Sequence, residues 1–193
     1  MGKNQNKILS KIDTLIDSNY KVPEESKAVL EEINKGVNMK INILCDIEYL
    51  SYKFDKTIKK NKNSKESSLL FPFFSKIKKA HSMCDYIIFC QKDKKLYILL
   101  IELKKSDDKV TNQLDAGEDF AKFIIKTLNR VYKKGIKNTE NIKTPIIRKI
   151  PIREYNIAQA NKKTLARGKK KPVEIENGLC KFNAKNFILE DYL

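Results

Sequence analysis

Cys84-Asp85-Tyr86-Ile87-Ile88-Phe89-Cys90, then Gln91-Lys92-Asp93-Lys94-Lys95, then Leu96-Tyr97-Ile98-Leu99-Leu100-Ile101-Glu102-Leu103-Lys104: two apolar runs of strand length flank a polar break. β-Branched and aromatic residues dominate both runs, and the charged segment between them suits a hairpin loop. Folding the stretch between Asp93 and Lys94 sets Asp85 opposite Glu102, because the two positions are equally far from the turn. Side chains alternate along a strand, so Glu102 and Lys104 share a face with Leu103 between them. The spacing therefore predicts a β-hairpin on which two carboxylates and one ammonium converge.

Two carboxylates brought together on an apolar strand repel each other and have little solvent to relieve them. A divalent cation removes that penalty. Asp and Glu oxygens, with a backbone carbonyl and waters, are the hard ligands that suit Mg²⁺ (or Mn²⁺), and a neighbouring Lys can orient or deprotonate a water or offset phosphate charge. For an isolated acid–hydrophobic–Lys triplet, the plainer alternative is a surface hairpin with solvated edge charges.

Asp85, one hairpin, then Glu102-Leu103-Lys104 resembles the D…(D/E)-X-K signature of the PD-(D/E)XK nuclease superfamily, which includes restriction-endonuclease-like and RecB-like proteins. Cys84 stands where that pattern expects Pro. The resemblance implies an α/β fold, a mixed sheet flanked by helices, and Mg²⁺-dependent cutting of phosphodiesters. On this reading Asp85, Glu102 and the Leu103 carbonyl hold the metal and Lys104 positions or activates water. Gln113, on the helix that follows Lys105-Ser106-Asp107-Asp108, is similar to the family's Gln that reaches back to orient Lys104 or a phosphate. A further Glu from an earlier helix, Glu25 or Glu32, is the family variation to look for, against the reading that both are solvated helix charges.

The chain has 193 residues, the size of one domain able to bury a substantial core. Forty Lys plus Arg against 24 Asp plus Glu give a formal charge of +16, a sequence-independent attraction for a polyanion. Nucleic acid is the expected partner, DNA ahead of RNA, with a homodimer or partner protein compatible. No apolar run has membrane-spanning length and the N-terminus lacks a secretory apolar segment, so a cytoplasmic protein is expected. Cys45, Cys84, Cys90 and Cys180 are too scattered for a zinc knuckle and read as buried free thiols. His81, the only histidine, leaves no basis for His-ligated zinc, a Ser-His-Asp triad or an HNH-type site.

In chain order, Ile8, Leu9, Ile12, Leu15 and Ile16 predict a packing helix over 7–17. Pro23, Glu24 and Glu25 followed by Gly36 predict a second, so that 1–36 is helical. Residues 39–54 read as one strand preceding the hairpin, within a core of 39–135. Residues 56–65 form a basic loop and Leu69–Phe74 an apolar segment, and Lys76, Lys78 and Lys79 sit on the approach to the hairpin. A helix capped by Ser106 or Asp107 runs to about Lys134, with Val110, Leu114, Gly117, Ala121, Ile124, Leu128 and Val131 as its apolar stripe. Residues 144–152 form a strand, with a basic loop and a hairpin through Asn177-Gly178 completing 144–193. Lys105, Arg148, Arg153, Arg167, Lys169, Lys170 and Lys171 are further candidate phosphate contacts. A nucleic-acid-binding module that does not cut, and a protein-interaction subunit with a positive face, are the other function classes compatible with these features.

Overall fold

The computed structural model describes residues 7–34, 37–54, 80, 82–104, 111–132, 144–153, 175–176, 179–180 and 186–193. In order these form α1 (Lys7–Leu15), β1 (Val29–Asn34), β2 (Val37–Leu44), β3 (Tyr49–Tyr52), β4 (Tyr86–Lys92), β5 (Lys95–Lys104), α2 (Thr111–Tyr132), β6 (Ile146–Arg153), β7 (Ile175–Glu176), β8 (Leu179–Cys180) and β9 (Asn186–Ile188). The central sheet has the order β3-β4-β5-β6. Its first three strands are antiparallel and β6 runs parallel to β5, the pairing that requires a crossover, here through α2. A second mixed sheet, β1-β2-β9, and the small β7-β8 pair complete the strands.

Residue counting alone gives the hairpin register. Lys92 pairs with Lys95 and Tyr86 with Ile101, which leaves Asp93-Lys94 as a two-residue loop. Both have positive φ, 50° and 61°, the backbone whose twist matches that of paired strands. Alternation then sorts β5 onto two cores. Ile98 and Leu100, with Ile87 and Phe89 of β4, pack against Leu9 and Ile12 of α1 and Leu114, Ala121, Ile124 and Leu128 of α2. Leu99, Ile101 and Ile88 pack the other way, against Leu30, Met39, Ile41, Ile43 and Phe187 of the second sheet. A strand covered on both sides reads as a continuous apolar run, and each fully buried Leu or Ile contributes about 1.5–3 kcal/mol.

Three sequence expectations are corrected by this packing. Residues 23–36 form a helix on local signals, but only turns occupy 24–28, and Val29–Asn34 is a strand paired with β2. Tertiary contacts override the local preference. The Tyr86 hydroxyl, projecting from the central sheet, donates to the Glu31 carbonyl at 2.9 Å and accepts from the Glu31 N–H at 2.8 Å, occupying both backbone groups on the open edge of β1. The single strand expected over 39–54 is two, in different sheets. The chain crosses between layers at Cys45–Glu48, where the Glu190 carboxylate accepts from the Asp46 N–H at 2.7 Å. Helices consequently cover one face of the central sheet, and the second sheet covers the other. On α2, Val131 is 54% exposed and does not belong to the buried stripe.

Gly117 fixes how closely α2 lies on the hairpin. A Cβ there would meet Cys84 Sγ at 2.6 Å and Leu100 Cδ2 at 3.6 Å. We expect Gly117→Ala to destabilise by about 1–2 kcal/mol, overpacking outweighing the gain of up to about 1 kcal/mol in helix propensity. Adding Cys84→Ala should restore most of the loss. Urea denaturation reads both effects, and a Gly117→Ala protein more stable than wild type would contradict the close approach.

Cys84 and Cys90 are buried and Cys45 is half-buried, and none of the three is in a disulfide. Burial pushes the Cys90 thiol up to about 12 and the Cys45 thiol to about 11. Iodoacetamide at mildly alkaline pH should therefore leave Cys84 and Cys90 unmodified in the folded protein and alkylate both in denaturant. Peptide mass spectrometry checks this, and rapid native labelling of Cys90 would contradict its placement.

Among the described residues no helix is long and apolar enough to cross a membrane. The basic loop at 56–65, Leu69–Phe74, His81, the Ser106/Asp107 cap, Gly36, Gly135 and the Asn177-Gly178 turn lie outside the described residues. β7 and β8 do pair as the two arms of a hairpin, Glu176 with Leu179.

Candidate active site

β4 begins at Tyr86, so the ladder with β5 stops at Tyr86–Ile101. One step further along the same register, Asp85 comes level with Glu102. Glu102 and Lys104 have the alternation parity of Ile98 and Leu100, the β5 residues that pack toward α2, while Asp85 lies in the bend just before β4. Asp85 is 9% exposed and Glu102 2%. The Lys104 side chain is 28% exposed. The carboxylates thus lie inside, with the ammonium at the mouth.

The end of the ladder also explains how Asp85 is held. Leu103 has no β4 residue in strand geometry beside it, and its N–H donates instead to Asp85 Oδ2 at 2.6 Å. The N–H and C=O of a strand residue face the same neighbour, so the Leu103 carbonyl opens toward the Asp85 side. Lys104 Nζ stands 2.8 Å from Glu102 Oε1. Asp85, Glu102, Leu103 and Lys104 therefore form one group at the open end of the hairpin.

Gln113 is half-buried in the first turn of α2. It lies one turn before Gly117, which sits over Cys84 and Leu100. As α2 returns along β5, a further turn of about 5.4 Å carries it toward the level of Glu102. Lys149 secures this end of the helix, and sequence reasoning passed it over. Its ammonium bonds Asp115 Oδ1 at 2.7 Å and also pairs with Glu118. Burial lowers the Lys149 pKa, but the hydrogen bonds to Asp115 and Glu118 outweigh it and leave the pKa raised. Hydrogen bonds from Lys122 and Lys149 hold Glu118 below its usual value. No periodicity signals such a tie, which depends on β6 lying beside β5.

No family model, curated protein or solved structure matches the chain.

The other candidates divide. Arg148 is exposed and alternates with Lys149 along β6, so it points away from the site face. Position 153 pairs with Lys104 in the β5–β6 register. Glu25 lies in the exposed 24–28 turn and Glu32 on β1 of the second sheet, so neither is the additional acid expected from an earlier helix. Lys76, Lys78, Lys79, Lys105, Arg167, Lys169, Lys170 and Lys171 lie outside the described residues.

Among the described residues no group of three or more His, Cys, Asp or Glu side chains could hold a metal ion. Asp85 and Glu102 offer two carboxylates, and Leu103 adds a carbonyl. This donor set is all hard oxygen, and Mg²⁺ is commonly held by one or two carboxylates with waters completing its shell. The donor chemistry fits Mg²⁺ or Mn²⁺. It does not suit a soft or imidazole-seeking metal.

Proposed function

We propose that the chain is a metal-dependent nuclease that hydrolyses phosphodiester bonds of nucleic acid, with a restriction-endonuclease-like core and membership of the PD-(D/E)XK superfamily. The observation that carries this reading is the bond from the Leu103 N–H to Asp85 Oδ2 beside the Glu102–Lys104 pair, which brings both carboxylates and the ammonium to the end of the hairpin. Asp85, Glu102 and the Leu103 carbonyl would hold Mg²⁺. The ion, when bound, supplies charge neutralisation at phosphorus and a more acidic water. Lys104, partly in solvent, positions the attacking water or offsets charge on the phosphate. Gln113 orients Lys104 or a phosphate oxygen. Burial of both carboxylates keeps bulk water from screening them, which strengthens each electrostatic contact at the site.

A second reading also rests on a specific observation. The Glu102 and Asp85 carboxylates already have protein partners, Lys104 and the Leu103 N–H, an arrangement equally suited to a scaffold that binds nucleic acid without cutting. Incubation with single- and double-stranded DNA and RNA, in Mg²⁺, Mn²⁺ or chelator, separates the two. Metal-dependent cutting supports the nuclease. Salt-sensitive binding without cutting under any metal supports the scaffold.

A further inference from the structure

α2 turns a second, chemically distinct surface to solvent. Phe123 is 59% exposed, although an aromatic side chain is among the largest apolar groups a chain can bury. Its ring is anchored. It stacks on Phe120 at 6.3 Å between centroids and 25° between planes, and Phe120 meets Phe54 edge-on at 4.8 Å. Phe54 in turn stacks on buried Tyr52. Phe123 is thus the outer end of an aromatic series rooted in the core.

Phe123 has cations on its C-terminal side, with exposed Asp119 one turn before it. Lys126 and Arg130 follow at i+3 and i+7, on the same side of the helix, and both are exposed. From Phe120 to Tyr132 the helix has no Asp or Glu.

We infer that this face of α2, with Phe123 as a stacking platform and Lys126 and Arg130 as phosphate contacts, docks an unpaired stretch of nucleic acid. A fixed aromatic ring with flanking cations recognises a splayed base and its backbone without regard to sequence. A duplex keeps the faces of its bases stacked inside, so a ring that stacks on a base reaches one only where the strand is unpaired. Phe123 is ten residues beyond Gln113, about 15 Å along the helix axis, so the platform is separate from the hairpin site. The inference deepens the proposed function by naming single-stranded nucleic acid as the ligand, and it rests on that reading for the class of polymer alone.

The test is fluorescence anisotropy of a labelled oligo-dT strand and a labelled hairpin duplex, titrated with full-length protein in chelator so that nothing is cut. Phe123→Ala should weaken oligo-dT binding about tenfold, the lower part of the range for one base–aromatic stack, leaving duplex binding and the far-UV circular dichroism unchanged. Lys126→Gln with Arg130→Gln should lower the slope of log K against log salt by about 1.4 for the single strand. Equal binding of wild type and Phe123→Ala to oligo-dT would overturn the inference. So would a wild-type dimer in sedimentation that Phe123→Ala dissolves, since the ring would then serve self-association. A Glu102→Gln protein that fails to cut bears on the hairpin site alone, so the two readings fail separately.

Discussion

Glu102→Gln is expected to reduce metal-dependent cleavage by more than about a hundredfold while leaving salt-sensitive binding of nucleic acid in place. Even partners of metal ligands typically cost ten- to a hundredfold when removed, and Glu102 is assigned as a ligand itself. Its carboxylate is 2% exposed and paired to Lys104 at 2.8 Å. The amide keeps the shape and one acceptor oxygen but loses the charge. Lys104 retains its route to water at the mouth of the site, so the variant should fold, and removal of a desolvated carboxylate should leave stability unchanged or raised. Lys104→Gln should lose cleavage comparably with binding retained. Rates from a labelled substrate, set beside urea denaturation of each variant, make the check. Cleavage undiminished in both variants would remove the hairpin from the mechanism.

The second large effect concerns Asp85, which ties the strand end in the structure and holds the metal in the proposed mechanism. Its Oδ2 accepts the Leu103 N–H at 2.6 Å where the β4–β5 ladder stops. Asp85→Ala strands a buried amide, and a loss of about 1–3 kcal/mol follows. Asp85→Asn retains an acceptor oxygen and should stay within about 1 kcal/mol of wild type. Cleavage should fall in both. The comparison therefore separates the strand-end tie from metal binding: a stable, inactive Asp85→Asn protein shows both tasks. An Asp85→Ala protein as stable as wild type would contradict the first of them.

The hairpin was legible because its evidence is local. Two apolar runs and a polar break define the strands, and the count of residues about Asp93-Lys94 sets the register without knowledge of the rest of the chain. The buried part of the α2 stripe was legible for the same reason, at Leu114, Gly117, Ala121, Ile124 and Leu128. Val29–Asn34 was misread because Pro23, Glu24 and Glu25 are sound helix-start signals whose effect ends in the 24–28 turn. What makes the following residues a strand is pairing with β2 and the reach of Tyr86 to Glu31, both long-range. The Lys149 tie to Asp115 and Glu118 was hidden likewise, since it forms only once α2 crosses over to bring β6 beside β5. The carboxylate pair follows from equal distances to the turn, a count that operates within one hairpin. That both carboxylates are buried needed the packing of the whole chain.

Titration of Mn²⁺ into the purified chain, followed by calorimetry, tests most directly whether the oxygens of Asp85 and Glu102 act together on one ion. The account predicts one Mn²⁺ bound per chain, with the heat lost in Asp85→Asn and again in Glu102→Gln while both variants remain folded. No Mn²⁺ uptake by the wild type, or uptake unchanged in both variants, would contradict it.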